Sequence, residues 1–494
     1  MALVSHLHKA TSFLTPLFFG FIGVLAFAPF SIKFLIILSY SYLIHLIFFS
    51  SDNAIFKKLI SWVIGHWGIG VSWVIVSVYY YGNVGYIASA IVYLLFLSLI
   101  FLFAVAPIKL FKLHETNKSR SHLVLYISSV LLLMELSRDF FFGGFPWLIP
   151  GTVSIDTILV NIMPLLGIAG ASFIIYFLAT LIASCWGTAR KISYFVLTLS
   201  VVLLLPFESD FEIKDNNLLS ISVVQPSLDP KLKTREIYKP LIEETLIKLT
   251  NSIEIDSELI VWPEVELPYA FNSRNYKNLK QKITKQAELI TGIWVFDENE
   301  LFNALVNIET DEIYKKQHLV PFGEYIPFKS ILNPILSYFG APISDISSGA
   351  NNQSPISVLE NIKAAPLICY DIVFGNDVRK SVKSSDFIIN ISNDSWFGRS
   401  LGPYQHLEIS RIRAIENNRW LIRATNDGFS AIISNNGTLV GILDKGEQGV
   451  LNHTIKLNNI NTIYSRYGYF VPYLFCIIYI FISLGAFIWT QRRV

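Results

Sequence analysis

Pro366-Leu367-Ile368-Cys369-Tyr370-Asp371 is a short apolar run that ends in a thiol, an aromatic ring and a carboxylate. Apolar runs of this length read as buried strands, here Ala365–Tyr370. Around it, short β-type runs alternate with amphipathic helical stretches. The strands expected are Leu219–Val224, Leu259–Trp262, Leu289–Val295, Ala304–Ile308, Phe387–Ile391, Trp420–Ala424 and Ser430–Ser434. The helices expected are Ile237–Asn251, Arg274–Glu288, Asp377–Val382 and Tyr404–Asn417, the last with an apolar side and a charged side. Such alternation predicts a layered α/β domain, and α/β enzymes place their sites in the loops after strands. Cys369 then has two readings. It is a small buried hydrophobe, or a nucleophile that needs access and a nearby cation.

The polar domain holds only part of the chain. Of 494 residues 52% are hydrophobic and 15% charged, against about 25% charged in soluble domains. The deficit sits in 1–206 and again in 468–490. A span needs about 20 mostly apolar residues. Stretches of that kind fall at 11–30, 32–50, 59–81, 85–107, 121–142, 157–185 and 192–206, with one more at 468–490. The expectation is thus about eight helices, with domains at 1–206, 207–466 and 467–494. The first stretch shows no small-residue cleavage site, so it is kept as a helix rather than a signal peptide. Lys9, Lys57–Lys58, the cluster Lys109, Lys112, Lys118 and Arg120, Arg190–Lys191 and Arg492–Arg493 fall on one side. Basic loops face the cytoplasm. Both termini are then inside and 207–466 outside. The net charge of +2 is too small to argue for a nucleic-acid partner. Cys185 and Cys476 lie in apolar segments, so the polar domain, with Cys369 alone, has no internal disulfide.

Two further motifs share that domain. Val261-Trp262-Pro263-Glu264 puts a carboxylate just past a strand, either a solvated acid or a general base. Tyr314-Lys315-Lys316-Gln317-His318-Leu319-Val320-Pro321-Phe322-Gly323-Glu324-Tyr325 sets a lysine pair against an apolar run, which favours one lysine directed into a site. His318 and His406 belong to no cluster with ligand spacing, so no metal is expected, and no cofactor.

Trp-Pro-Glu, then Lys-x-His-Leu-Val-Pro-Phe-Gly-Glu, then Cys-Tyr-acid, in this order, resembles the nitrilase superfamily. The resemblance implies a four-layer α-β-β-α sandwich. With helices on both flanks, the chain resembles the apolipoprotein N-acyltransferase family. Local matches run through most of its length: Phe27-Ala28-Pro29-Phe30, Ser72-Trp73, Glu135, Gly144-Phe145-Pro146-Trp147, Asn393-Asp394-Ser395-Trp396-Phe397-Gly398, Gly402-Pro403-Tyr404-Gln405-His406, Arg411-Ile412-Arg413-Ala414 and Arg423-Ala424-Thr425-Asn426-Asp427-Gly428. It implies Cys369 as nucleophile and Glu264 as general base. Lys316, two residues before His318, would be the oxyanion cation, with the Tyr370 backbone N–H as second donor. Glu324 would position the site and relay protons, and Tyr370 matches an aromatic neighbour of the nucleophile. Two departures stand out. Asp371 occupies a position where the family usually has Glu, and Pro226–Thr234 lacks an aromatic that some members place over the site.

The activity implied is transfer of an acyl chain from a membrane phospholipid, phosphatidylethanolamine being the expected donor. A Cys thioester carries it to the α-amine of diacylated apolipoproteins at the outer face of a bacterial inner membrane. A monomer is expected. The rivals are a membrane-anchored amidase using the same residues and an inactive lipid-binding scaffold. Trp396 and Phe397 read equally as core or as the lining of a lipid groove. Glu135, Arg138 and Asp139, at the outer end of a helix, read as a mutual pairing or a headgroup site.

Overall fold

The computed structural model describes residues 2–50, 54–80, 85–112, 120–140, 143–185, 190–207, 217–229, 232, 236–265, 267–321, 323–325 and 346–491. Lys118, the outer loop 82–84, Phe322, Arg492–Arg493 and residues 230, 231, 233 and 234 of the stretch lacking an aromatic lie outside them. The chain divides into two units. One comprises 1–75, 85–209 and 467–494, the other 76–84 and 210–466.

In the second unit the alternating runs form twelve strands among the described residues. They are β1 Leu218–Gln225, β2 Leu259–Val261, β3 Glu288–Asp297, β4 Glu300–Asn307, β5 Ile313–Lys315, β6 Ile356–Val358, β7 Ile362–Ile368, β8 Phe387–Ser392, β9 Leu421–Thr425, β10 Ser430–Ile433, β11 Leu439–Leu443 and β12 Gly449–Lys456. They make two six-stranded sheets, ordered β12-β1-β2-β3-β4-β5 and β11-β10-β9-β8-β7-β6. The central trios β1-β2-β3 and β7-β8-β9 are parallel. Side chains alternate across a strand, and the core follows that period. Leu219, Ile221 and Val223 of β1 pack with Ile368 of β7, Ile389 and Ile391 of β8, and Ile422 of β9 between the sheets. Val224, Ile260 and Ile293 point the other way, onto Ile242, Leu246 and Leu279 of the helices Lys239–Asn251 and Arg274–Lys282. Helices Gly375–Val382 and Gly402–Asn417 pack against β7 and β9. The order is the expected helix, sheet, sheet, helix.

Two expectations change. The helix foreseen to Glu288 ends at Lys282, because Ile283 turns to extended backbone and Glu288 joins β3 beside β2. Asn251 Oδ1 then accepts from the backbone N–H of Thr284 at 3.1 Å. The helix Gly402–Asn417 shows no solvated charged side over most of its length. His406, Arg411, Arg413 and Glu416 are buried. Arg413 pairs with Glu416 and donates to the carbonyls of Ile372 and Val373 at 2.9 and 3.0 Å.

The first unit is helical. Among the described residues two helices are long and apolar enough to cross a membrane, Tyr86–Phe111 and Ile158–Cys185. A third counts if Ile55–Gly68 and Trp73–Tyr79, bent by 67°, form one span. Shorter apolar helices occur at Phe13–Val24, Leu35–Phe49, Ser121–Ser137, Ile192–Leu203 and Phe470–Gly485. A charged group at such depth needs a partner, and Glu135 and Arg138 have them. Tyr176 Oη donates to Glu135 Oε2 at 2.8 Å. The Arg138 guanidinium lies 3.8 Å from Glu135, donates to the Trp147 carbonyl at 2.7 Å and sits over the Trp67 ring.

Candidate active site

Glu264 stands on the turn after β2. Trp262 anchors that turn: its indole N–H donates to Thr250 Oγ1 at 2.9 Å and its backbone N–H to the Ile290 carbonyl at 2.8 Å. The turn then lies flat on β3, where Gly292 donates to the Pro263 carbonyl at 3.1 Å. A Cβ at Gly292 would stand 2.7 Å from Glu264 Cα, so only glycine lets the carboxylate come this close to the sheet.

Lys316 follows β5 and still pairs with β4, its N–H donating to the Asn303 carbonyl at 2.8 Å. Its side chain is 1% exposed, with Nζ 3.1 Å from Glu264 Oε1 and 2.8 Å from Glu324 Oε1. Asn303 Nδ2 donates to the same Glu264 oxygen at 2.7 Å. Glu324 is held in turn by the Val320 N–H at 2.8 Å. Burial opposes the Lys316 charge, but the carboxylates of Glu264 and Glu324 outweigh it and hold the ammonium well above the ordinary lysine range. Lys315 goes elsewhere, pairing with Asp297 at 2.5 Å on the exposed side.

Cys369 opens a tight helical turn, Cys369–Val373, at the end of β7. Its φ of +48° is one that side-chain-bearing residues rarely adopt, at a cost of about 1–3 kcal/mol that the surroundings must offset. The thiol senses both charged partners. Burial pushes it up most, the Glu264 carboxylate pushes it further, and Lys316 pulls it partly back, leaving it well above the ordinary range. Ser392 hydrogen-bonds the sulfur. The structure thus brings Glu264, Lys316, Glu324 and Cys369 together, and a neutral thiol beside a carboxylate and an ammonium suits proton removal during attack rather than a standing thiolate.

Asp371 ties the two loops together. Its Oδ1 accepts from the N–H groups of Gln317 and His318 at 3.2 and 2.8 Å. Its Oδ2 accepts from Ile368 N–H at 3.1 Å and Tyr314 Oη at 3.0 Å. The shorter acid therefore makes loop contacts on both oxygens. Asparagine would turn an amide N–H₂ against two of these donors. Asp371→Asn is expected to destabilise the catalytic unit by about 3 kcal/mol, from lost hydrogen bonds to a charged group, read as the denaturant midpoint. An unchanged midpoint would show that these bonds contribute nothing.

The Tyr370 ring is buried, edge-on to Phe374. His318 stacks on Phe374 and pairs with Asp377 at 3.0 Å, which holds the Asp377 carboxyl down at about 2. No group of three or more His, Cys, Asp or Glu that could hold a metal occurs among the described residues. Trp396 is 45% exposed; Phe397 meets the His406 ring edge-on. A polar cleft of about 280 Å³ is lined by Tyr314, His318, Asp371, Asp377 and Lys380, and by none of Glu264, Lys316 and Cys369.

Asn303 is a polar residue inside the buried strand β4, and that placement is the sequence signal for its role. Asp394, His406 and Arg423 lie in the stretches that carry the family resemblance. They form a buried network in which burial opposes the Asp394 charge, while Arg423 and His406 hold it below the ordinary carboxylate range.

Known proteins resemble this chain over most of its length. A family model described as "Carbon-nitrogen hydrolase" matches residues 221–464, and one described as "Apolipoprotein N-acyltransferase N-terminal domain" matches 19–181. The apolipoprotein N-acyltransferase of Pasteurella multocida (strain Pm70) is 32% identical over 500 residues, covering 93% of this chain and 92% of that protein. Its namesake from Vibrio cholerae serotype O1 is 30% identical, covering 98% of each. That of Wigglesworthia glossinidia brevipalpis is 30% identical, covering 95% and 96%. Similarity of this extent, running through the helical and the polar unit alike, makes the chain a member of the apolipoprotein N-acyltransferase family.

Proposed function

We propose that the chain moves an acyl group from a membrane phospholipid, phosphatidylethanolamine among them, through a Cys369 thioester. The acceptor is the α-amine of the S-diacylglyceryl cysteine that begins an apolipoprotein. The observation that carries this reading is the buried Lys316 ammonium between Glu264 and Glu324, with Cys369 in the field of Lys316 and Glu264.

Glu264 takes the thiol proton as Sγ attacks the ester carbonyl carbon. The oxyanion that forms is held by the Lys316 ammonium and the Tyr370 N–H. When it collapses, the C–O bond breaks, Glu264 returns the proton to the departing alkoxide, and a lysophospholipid leaves. In the second half the amine nitrogen attacks the thioester carbon. Glu264 takes a proton from it, the C–S bond breaks, and the proton returns to Cys369. The products are an amide-linked acyl chain and the free thiol.

Donor and acceptor are both lipids, which gives the apolar helices their use. The basic loops support about eight spans with both termini cytoplasmic and 207–466 on the outer side of a bacterial inner membrane. One chain carries Glu264, Lys316 and Cys369 together, so a monomer suffices.

The test is intact mass of the detergent-purified protein after incubation with phosphatidylethanolamine, with Cys369→Ala as control. The expected result is one added acyl chain, removed by hydroxylamine, absent in the control, and passed to a diacylated lipopeptide. An adduct that reaches only water would favour an amidase-like hydrolase. No adduct at all would sink the thioester.

A further inference from the structure

His406 is outside the Glu264–Lys316–Cys369 set, yet it touches the backbone of the nucleophile. Its Nε2 lies 3.3 Å from the Cys369 carbonyl oxygen. A carbonyl only accepts, so this nitrogen carries a proton. Across the ring, Nδ1 lies 3.0 Å from Arg423 Nη2 and 3.0 Å from Asp394 Oδ1. Arginine only donates, so in the neutral ring Nδ1 accepts from it. Arg423 Nη2 also reaches Asp394 Oδ2 at 2.7 Å, and Ser392 Oγ donates to Asp394 Oδ1 at 2.9 Å. Asp394 and Arg423 are fully buried and His406 is 1% exposed. With the Phe397 ring against its edge, the imidazole is fixed on every side that these contacts cover.

The carbonyl that His406 holds shares a peptide unit with the Tyr370 N–H. That unit is planar and trans, so fixing the oxygen fixes the N–H in the opposite direction. The positive φ of Cys369 means that local preference does not set this plane. Donation into the carbonyl also polarises the amide and strengthens its N–H as a donor.

We propose that His406, held by Arg423, which Asp394 holds in turn, is a positioning residue that aims the Tyr370 N–H at the oxyanion formed during acylation of Cys369. The proposal rests on the thioester reading above. The contact of His406 is to the Cys369 carbonyl oxygen, so the step that feels its loss is the one that builds an oxyanion.

Two rates on the full-length, detergent-purified protein test this. One is single-turnover acylation of Cys369 by phosphatidylethanolamine, followed by intact mass. The other is alkylation of Cys369 by iodoacetamide, which builds no oxyanion, with Cys369→Ala as the blank. His406→Ala is expected to slow acylation about 10²-fold, the effect of losing one oxyanion donor, and to leave alkylation nearly unchanged. His406→Gln, whose side-chain N–H reaches toward the same carbonyl, is expected to recover most of the acylation rate. Equal loss of both rates in both variants overturns the proposal, since the network would then only hold the fold. Acylation of His406→Ala at the unsubstituted rate overturns it as well. If the unsubstituted protein alkylates at Cys369 but never forms a thioester, the functional reading fails and takes this inference with it.

Discussion

Lys316→Met is expected to slow acylation of Cys369 by about 10³-fold and to destabilise the catalytic unit by about 3–5 kcal/mol. Both effects have one origin. The Lys316 ammonium is the cation between Glu264 and Glu324, 3.1 and 2.8 Å from their oxygens. Methionine matches the volume of the stem and removes the charge. Two carboxylates then share a buried pocket with Asn303 as the one common donor among the described residues, 2.7 Å from Glu264 and 3.4 Å from Glu324. Breaking a buried pair costs more than the pair itself contributes, because an uncompensated charge remains. The oxyanion also loses its charged partner. The pair raises the Lys316 pKa above its unfolded value. Its stabilisation is therefore complete at neutral pH, below the ordinary lysine range, and is lost only as pH rises through the folded-state value. The wild-type contribution of Lys316 is accordingly flat between pH 6 and pH 8, whereas in Lys316→Met the two carboxylates left together favour sharing a proton, so the deficit is expected to shrink as pH falls. Chemical denaturation and single-turnover mass spectrometry check the two halves. A variant of normal stability and normal acylation would remove Lys316 from the site.

Glu264→Gln is expected to slow acylation by about 10²–10⁴-fold, the usual worth of a general base, without a comparable loss of stability. The amide keeps an oxygen where Lys316 and Asn303 donate, so the pocket keeps its contacts. What it loses is proton acceptance. Cys369 is pushed up by burial and by the Glu264 charge, so at neutral pH its proton must be removed during attack. In the variant, the Glu264 charge no longer raises the thiol, while burial, Asp394 and Lys316 remain. Alkylation by iodoacetamide should therefore survive and climb with pH as hydroxide takes over, while acylation at neutral pH stays low. If Glu264→Gln acylates at the unsubstituted rate at pH 7, another group is the base.

The fold was legible because each sheet keeps its period over several residues. β1, β3, β7 and β8 were read within two or three residues of their observed ends. The strands that escaped, β5, β6, β11 and β12, are short or lie with one side exposed. Such strands owe their pairing to neighbours rather than to their own pattern. The helix foreseen to Glu288 fails for the same reason: a place beside β2 takes the residues that helical periodicity alone would have kept. The apolar ends predicted helices, but not which of them bend. The 67° break between Ile55–Gly68 and Trp73–Tyr79 falls where Gly65, Gly68, Gly70 and Ser72 cluster, small residues at which helices commonly bend.

In the candidate site, the residue types and the strand ends on which they stand can be read along the chain. The order Glu264, Lys316, Cys369 comes from the chain, and so does the family resemblance that it carries. Tertiary structure decided which neighbours meet. Lys315 and Lys316 are adjacent and chemically alike, yet one is at the surface with Asp297 and the other is buried between Glu264 and Glu324. The physical reason is that successive side chains at a strand end leave on opposite faces, and which face looks inward depends on the register with β4. Asn303 and the Asp394–His406–Arg423 network follow the same logic. Arg423 on β9 and Asp394 after β8 meet His406, whose ring reaches the Cys369 carbonyl, only because β7, β8 and β9 run parallel and end on one side. That convergence lies in contacts between distant residues, which no local pattern records.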